Sequence, residues 1–185
     1  GLKVVQPYSA ADAKGLPKTA IRDPNPVIVL ENEDMYGRSF DVPKLDDFTI
    51  PLGKARIWRE GDDVTVVSWG TSEDYALEAA DELAKEGIAA EVVDMRTLRP
   101  LDMATVIESV KKTNRCVTFE DGWPVASIGN HISAVLMQQA FDWLDAPVIN
   151  VTGKDVPMPY AANLERLALV TVDEVLAALK QVTYS

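Results

Sequence analysis

Val64-Thr65-Val66-Val67-Ser68-Trp69, then Gly70-Thr71 and a helical stretch ending at Gly87, then Ala90-Glu91-Val92-Val93-Asp94-Met95: this stretch decides how the chain folds. Both flanking runs are mostly apolar without alternation, as expected for strands covered on both faces of a sheet. Between them Ala76, Ala79, Ala80, Leu83 and Ala84 fall at i, i+3, i+4, i+7 and i+8, one apolar stripe along a helix. Thr71 stands three residues before Asp74, the spacing of a capping box, and Gly87 supplies a C-terminal stop. Strand, one-sided helix, strand is the repeating unit of a parallel sheet.

The same alternation continues outward. Ala55-Arg56-Ile57-Trp58 reads as a strand and Glu60-Gly61-Asp62-Asp63 as the turn after it. Asp102 can cap a helix striped by Met103, Val106, Ile107 and Val110, with Lys111 and Lys112 at its negative end. Arg115–Phe119 is a strand, Glu120-Asp121-Gly122-Trp123-Pro124 a loop, and residues 127–140 a helix with Ile128, Ile132, Val135 and Leu136 inward. Pro147–Val151 is a short strand. Thr171 with Glu174 forms a second capping box, opening a helix striped by Val172, Val175, Leu176 and Leu179. The fold class is α/β, a mainly parallel sheet with helices on both faces. Upstream, Thr19-Ala20-Ile21-Arg22-Asp23-Pro24-Asn25-Pro26 reads as a helix end and tight turn, running into a buried strand at Val27-Ile28-Val29-Leu30. Only Leu2-Lys3-Val4-Val5 precedes it as a strand candidate, so the chain is expected to begin partway through a domain. The expected boundary lies in the polar stretch Asp41–Asp47.

Charge narrows the function classes. The 185 residues carry 29 acidic and 18 basic side chains, a net charge of −11. That argues against a nucleic-acid or anionic-membrane surface and favours a basic protein partner, or simply solubility. No apolar run approaches the roughly 20 residues of a membrane span. The single cysteine, Cys116, excludes an intramolecular disulfide, fits a reducing compartment and reads as core packing.

Candidate chemistry is sparse. Ser68-Trp69-Gly70-Thr71-Ser72 is neither a dinucleotide fingerprint nor a Walker loop. His131, the only histidine, has no nucleophile elbow to serve and cannot make a zinc site with one cysteine alone. Glu120 and Asp121 follow a strand directly, where ligands of open α/β sheets bind, but adjacent residues diverge and do not form a shared-proton pair. Ala20 and Ile21 would present free carbonyls at a helix end, and Asp23 and Asn25 add side-chain oxygens. Such hard oxygens suit a monovalent or alkaline-earth cation. An Asx-turn that merely ends the helix accounts for the same residues.

Several blocks together carry a resemblance. They are Ala20-Ile21-Arg22-Asp23, Leu30-Glu31-Asn32-Glu33 with Met35-Tyr36-Gly37, Pro51–Ala55, Asp94–Asp102, Gly122-Trp123-Pro124 and Asp155–Ala161. The chain resembles, over essentially its whole length, the C-terminal half of the beta subunits of pyruvate dehydrogenase, in the thiamine-diphosphate-dependent 2-oxo acid dehydrogenase family. Gly122-Trp123-Pro124 looks more like pyruvate enzymes than branched-chain ones. The resemblance implies a transketolase C-terminal-type domain at residues 49–185, with one antiparallel edge strand, preceded at 1–48 by the tail of a pyrimidine-binding α/β domain. It implies a protein of bacterial cytoplasm or mitochondrial matrix. Its partners would be an alpha subunit, a second beta subunit and the subunit-binding domain of the dihydrolipoyl acyltransferase core. Thiamine diphosphate and magnesium would belong to the intact enzyme and not to this chain alone, and no catalytic or cofactor-binding residue carries over. A potassium ion would lie at Ala20, Ile21, Asp23 and Asn25, with a further ligand upstream. A branched-chain 2-oxo acid or acetoin dehydrogenase beta subunit, and a stand-alone α/β protein-binding module, remain alternatives.

Overall fold

In the computed structural model, which describes residues 1–185, two sheets share the chain. The larger has five strands in the order β3-β5-β4-β7-β8: β3 (Arg56–Arg59), β4 (Val64–Ser68), β5 (Ala90–Asp94), β7 (Cys116–Phe119) and β8 (Ile149–Val151). Only β3 runs antiparallel, at one edge; the other pairings are parallel. The side chains of β4 explain why neither face shows water. Val64 and Val66 point to one helical layer and Val67 to the other, all at 0% exposure. Helices α2 (Ser72–Lys85) and α6 (Val172–Thr183) cover the first face, through Ala76, Ala79, Leu83, Val175 and Leu179. Helices α3 (Met103–Thr113) and α4 (Ile128–Gln139) cover the second, through Val106, Val110, Ile132 and Leu136. The result is the three-layer α/β domain expected from the alternation.

Polar positions inside these layers are paired. Thr65 on β4 meets the hydroxyls of Ser109 (2.6 Å) and Thr113 (2.7 Å) on α3, and buried Glu91 on β5 meets Lys112. Gly61 is required by space: a Cβ there would sit 2.3 Å from the carbonyl carbon of Ala90.

The second sheet is small, with β1 (Lys3–Val5) between β2 (Val27–Val29), parallel to it, and β6 (Thr97–Arg99), antiparallel. It packs against α1 (Ala10–Arg22) through Val5, Leu16 and Ile50. Residues 36–55 contain no helix or strand and run from this sheet to β3. Because β6 leaves the large domain directly after β5, it stitches the N-terminal segment to the carboxyl ends of the main strands.

Three sequence expectations need correction. The strand at residue 27 is not buried: β2 pairs on one side only, and Ile28 and Leu30 stand 40% and 41% exposed. Thr71 makes no capping box, because it lies in the helical region (φ −62°, ψ −26°) and its hydroxyl donates to Asp121 instead. Ala84, placed on the buried stripe of α2, faces solvent. The Asp102 cap and the Thr171 capping box form as expected. Two elements had no legible signal: β6, three residues long, and α5 (Ala162–Ala168), whose only buried residue is Ala168.

Truncating Leu83, wholly buried between α2 and the sheet, is expected to cost about 2–5 kcal/mol. The urea midpoint of Leu83→Ala should fall accordingly with the m-value unchanged.

Candidate functional site

Ligands of open α/β sheets bind outside the carboxyl ends of the strands. Here those ends are Ser68 on β4, Asp94 on β5 and Phe119 on β7. The N-terminal segment closes over the first two, and the contact is made by charge. Asp12 on α1, Glu73 on α2 and Asp94 on β5 are each at 0% exposure. Asp12 is fixed by the Ser9 capping box: its Oδ2 accepts from the Ser9 amide (3.2 Å) and hydroxyl (2.6 Å). Asp94 accepts from the indole of Trp58 (3.2 Å) and from the amide of Arg96 (2.9 Å). Glu73 accepts from the Ser68 hydroxyl through one oxygen, while its Oε1 has no partner.

Arg96 is the cation of this cluster. Its backbone sits in the left-handed region (φ 50°), which turns the chain out of β5 and back toward α1. The guanidinium then reaches Asp12 at 3.2 Å and the carbonyls of Lys54 (3.0 Å) and Ala55 (3.1 Å). Burial, and next the charge of Asp12, push the Asp94 carboxyl up to about 7. Burial, and next the charge of Asp94, hold Glu73 well above the ordinary carboxylate range. Sequence reasoning missed this cluster, although the Ser9-x-x-Asp12 spacing and a glutamate opening α2 were visible signals.

A rim surrounds the cluster. The Tyr8 hydroxyl donates to Asp74 (2.6 Å), and burial followed by that acceptor raises its ionisation well above the phenolic value. Tyr8 lies edge-on against Trp58 (5.3 Å) and Phe40 (5.5 Å). Arg56 stacks on Trp58, 3.5 Å from the ring centroid. Thr71 donates to Asp121 (2.6 Å) and accepts from Asn32 (3.0 Å). Between these a cleft of about 220 Å³ is lined by Asn32, Asp34, Arg38, Thr71, Asp74 and Asp121. Three carboxylates against one arginine make that lining a poor fit for a diphosphate. Nowhere do three His, Cys, Asp or Glu side chains converge to hold a metal ion. Magnesium diphosphate, the anchor of thiamine diphosphate, therefore does not suit this cleft.

The structure distributes the residues singled out from sequence. Glu120 and Asp121 diverge: Glu120 is buried and accepts from the Gly129 amide (2.8 Å) at the start of α4, while exposed Asp121 faces the rim. His131 is exposed on α4. Cys116 is buried in β7, its thiol pushed up to about 12 by burial. Trp123 is half-exposed and ties its loop to Val156 by an indole hydrogen bond (2.8 Å). Ala20, Ile21, Asp23 and Asn25 come together at the C-terminal end of α1. The Ala20 carbonyl accepts from the Asp23 amide (3.2 Å), and the Ile21 carbonyl has no hydrogen bond. The Asp23 carboxylate takes the Lys3 ammonium, which lowers its ionisation, and the Asn25 amide (2.9 Å). Neutral carbonyl oxygens suited to a cation stand there beside a carboxylate already balanced by lysine.

Comparison with known proteins gives a family. The family model described as the transketolase C-terminal domain matches residues 53–175. A pyruvate dehydrogenase E1 component subunit beta of Rhizobium meliloti (strain 1021) is 64% identical over 184 residues, taking in 100% of this chain and 40% of that protein. The corresponding subunit of Rickettsia felis is 55% identical, over 100% of this chain and 56% of that protein. The mitochondrial subunit beta-2 of Oryza sativa subsp. japonica is 54% identical, over 100% and 50%. The chain thus spans about half the length of the curated relatives it matches. A solved split-gene transketolase, an inactive beta4 tetramer, superposes with a TM-score of 0.79 at 31% identity, over 99% of this chain and 57% of that one.

Replacing Arg96 with Met leaves buried Asp12 without its cation and should cost about 3–5 kcal/mol. Arg96→Lys should recover only part of it, because an ammonium cannot span Asp12 and both carbonyls. Guanidinium denaturation at neutral pH measures both.

Proposed function

The chain belongs to the transketolase C-terminal domain family, and from that premise we propose that it is the C-terminal part of a pyruvate dehydrogenase E1 beta subunit. The observation that carries this reading is the likeness to E1 beta subunits across the whole length of the chain. In this proposal residues 49–185 form the transketolase C-terminal-type domain, and residues 1–48 complete a pyrimidine-binding domain whose remainder lies upstream. The intact alpha/beta enzyme decarboxylates pyruvate on thiamine diphosphate and reductively acetylates lipoyl groups of the acyltransferase core. This segment contributes assembly surface and does no catalysis alone. The acidic lining of its strand-end cleft, which does not suit a diphosphate, supports that division.

Partners in the proposal are the alpha subunit, a second beta subunit and the basic subunit-binding domain of the dihydrolipoyl acyltransferase core. Exposed apolar side chains at Trp123, Val125, Met158, Tyr160, Leu164 and Leu167, on two segments tied together by the Trp123–Val156 hydrogen bond, support an interface. The net charge of −11 supports steering of a basic partner. Relatives named from bacteria and from mitochondria support a bacterial cytoplasm or a mitochondrial matrix, and no helix is long and apolar enough to cross a membrane. A potassium ion is proposed at Ala20, Ile21, Asp23 and Asn25, with carbonyl oxygens as its main donors and one ligand supplied from upstream.

The direct test is to co-express the full-length protein with its alpha subunit and assay 2-oxo acids. Pyruvate should be the preferred substrate, lipoyl acetylation should follow, and this segment alone should be inactive. Preference for branched-chain 2-oxo acids or acetoin would move the protein to a sister enzyme, and failure to pair with an alpha subunit would leave a stand-alone binding module.

In the full-length protein, potassium chloride should raise the melting temperature by a few degrees over sodium chloride at equal ionic strength. Asp23→Ala should shrink the difference without abolishing it. Equal melting in both salts removes the potassium assignment.

A further inference from the structure

We infer that α1, through buried Asp12, is latched onto the carboxyl ends of β4 and β5 while a proton sits on Glu73 or Asp94, and that removing this proton releases the helix. The latch draws on three elements. Asp12 comes from α1, Glu73 from the start of α2 and Asp94 from the end of β5, and all three are wholly buried. One guanidinium, Arg96, faces them, and it bonds only Asp12 among the three. An ionised carboxylate with an unpartnered buried oxygen carries a desolvation penalty that a protonated one escapes. Glu73 Oε1 is such an oxygen. The geometry therefore holds when a proton sits in the cluster.

Other charges around it do not replace that proton. From the turn before α1, the Tyr8 hydroxyl is committed to Asp74 on α2, and Asp74 is paired with Arg38. From β3, Arg56 stacks on Trp58, whose indole serves Asp94. Lys54 offers Arg96 its carbonyl. Among these neighbours, Asp74 adds further negative charge against Glu73.

The sign follows from the direction of the shifts. An exposed aspartate ionises at 3.8, whereas the docked Asp94 holds its proton up to about 7. Between those values the docked state binds a proton that the released state has lost, so docking weakens as pH rises through that window. One linked proton alters the docking equilibrium by up to about tenfold per pH unit.

Hydrogen exchange of the full chain, corrected for intrinsic chemistry and read by mass spectrometry on Ala10–Arg22, tests the latch. Protection of α1 should fall at least about tenfold between pH 5 and pH 7, while α3 stays protected. Asp94→Asn keeps an acceptor for Trp58 and should flatten the pH dependence; Glu73→Gln should reduce it. If Asp94→Asn does not fold, carboxyl carbon NMR titration of the wild type and the Glu73→Gln exchange profile decide the matter. Wild-type protection that does not vary with pH, unchanged dependence in Glu73→Gln, or equal loss in α1 and α3 would overturn the latch.

Discussion

The placing of the N-terminal third of this molecule turns on one largely buried guanidinium. Arg96 leaves β5 in a left-handed backbone conformation, and that turn aims its side chain back at α1. Without it Asp12 would be a bare charge at zero exposure, and the carbonyls of Lys54 and Ala55 would lose their donor. The same turn allows Thr97–Arg99 to pair with β1, so one backbone feature places both an ion pair and a strand pairing. Buried ion pairs are poor sources of net stability, since desolvation offsets their attraction. What this pair gives is position: apolar packing between α1 and its sheet rests on only Val5, Leu16 and Ile50 as fully buried residues, too small a core to fix an orientation.

The large domain has the opposite economy. Its sixteen-residue and eleven-residue apolar clusters lie on the two faces of one sheet, and each helix turns a single stripe inward. That is why it was legible in the sequence. Val64–Ser68 and Ala90–Asp94 have no polar face to hide, and the stripes of α2, α3, α4 and α6 repeat at helical spacing with punctuation at Gly87, Asp102 and Thr171. What escaped was structure specified by single long-range contacts. The Thr71 hydroxyl obeys Asp121, fifty positions away, rather than its own helix. The β2 strand has the composition of a buried strand, yet no residue of this chain lies along its outer edge. The short α5 has too few buried positions to show a period.

The candidate site divides along the same line. Spacing alone placed oxygens at Ala20, Ile21, Asp23 and Asn25, because a helix end exposes carbonyls wherever it occurs. It could not show that Lys3 reaches Asp23, since that pairing depends on β1 lying parallel to β2. Nor could it assemble Asp12, Glu73 and Asp94, which stand 61 and 21 positions apart in sequence and meet only after the domain has folded beneath α1.

This domain places charge where a fold of its type keeps its ligands. The carboxyl ends of parallel strands are the natural place for a site, and here they are closed by the chain's own N-terminal segment. An apolar lid would close them permanently. A lid held by carboxyls and one arginine closes them conditionally, because its hold depends on a proton count as well as on shape. The strand ends of β4 and β5 thus act as a docking seat for another part of the protein, while Trp123 after β7 and Val156, Met158, Tyr160, Leu164, Leu167 and Leu169 after β8 stay exposed. One end of a single sheet carries two unlike surfaces, an inner one closed by charge and an outer one of exposed apolar side chains.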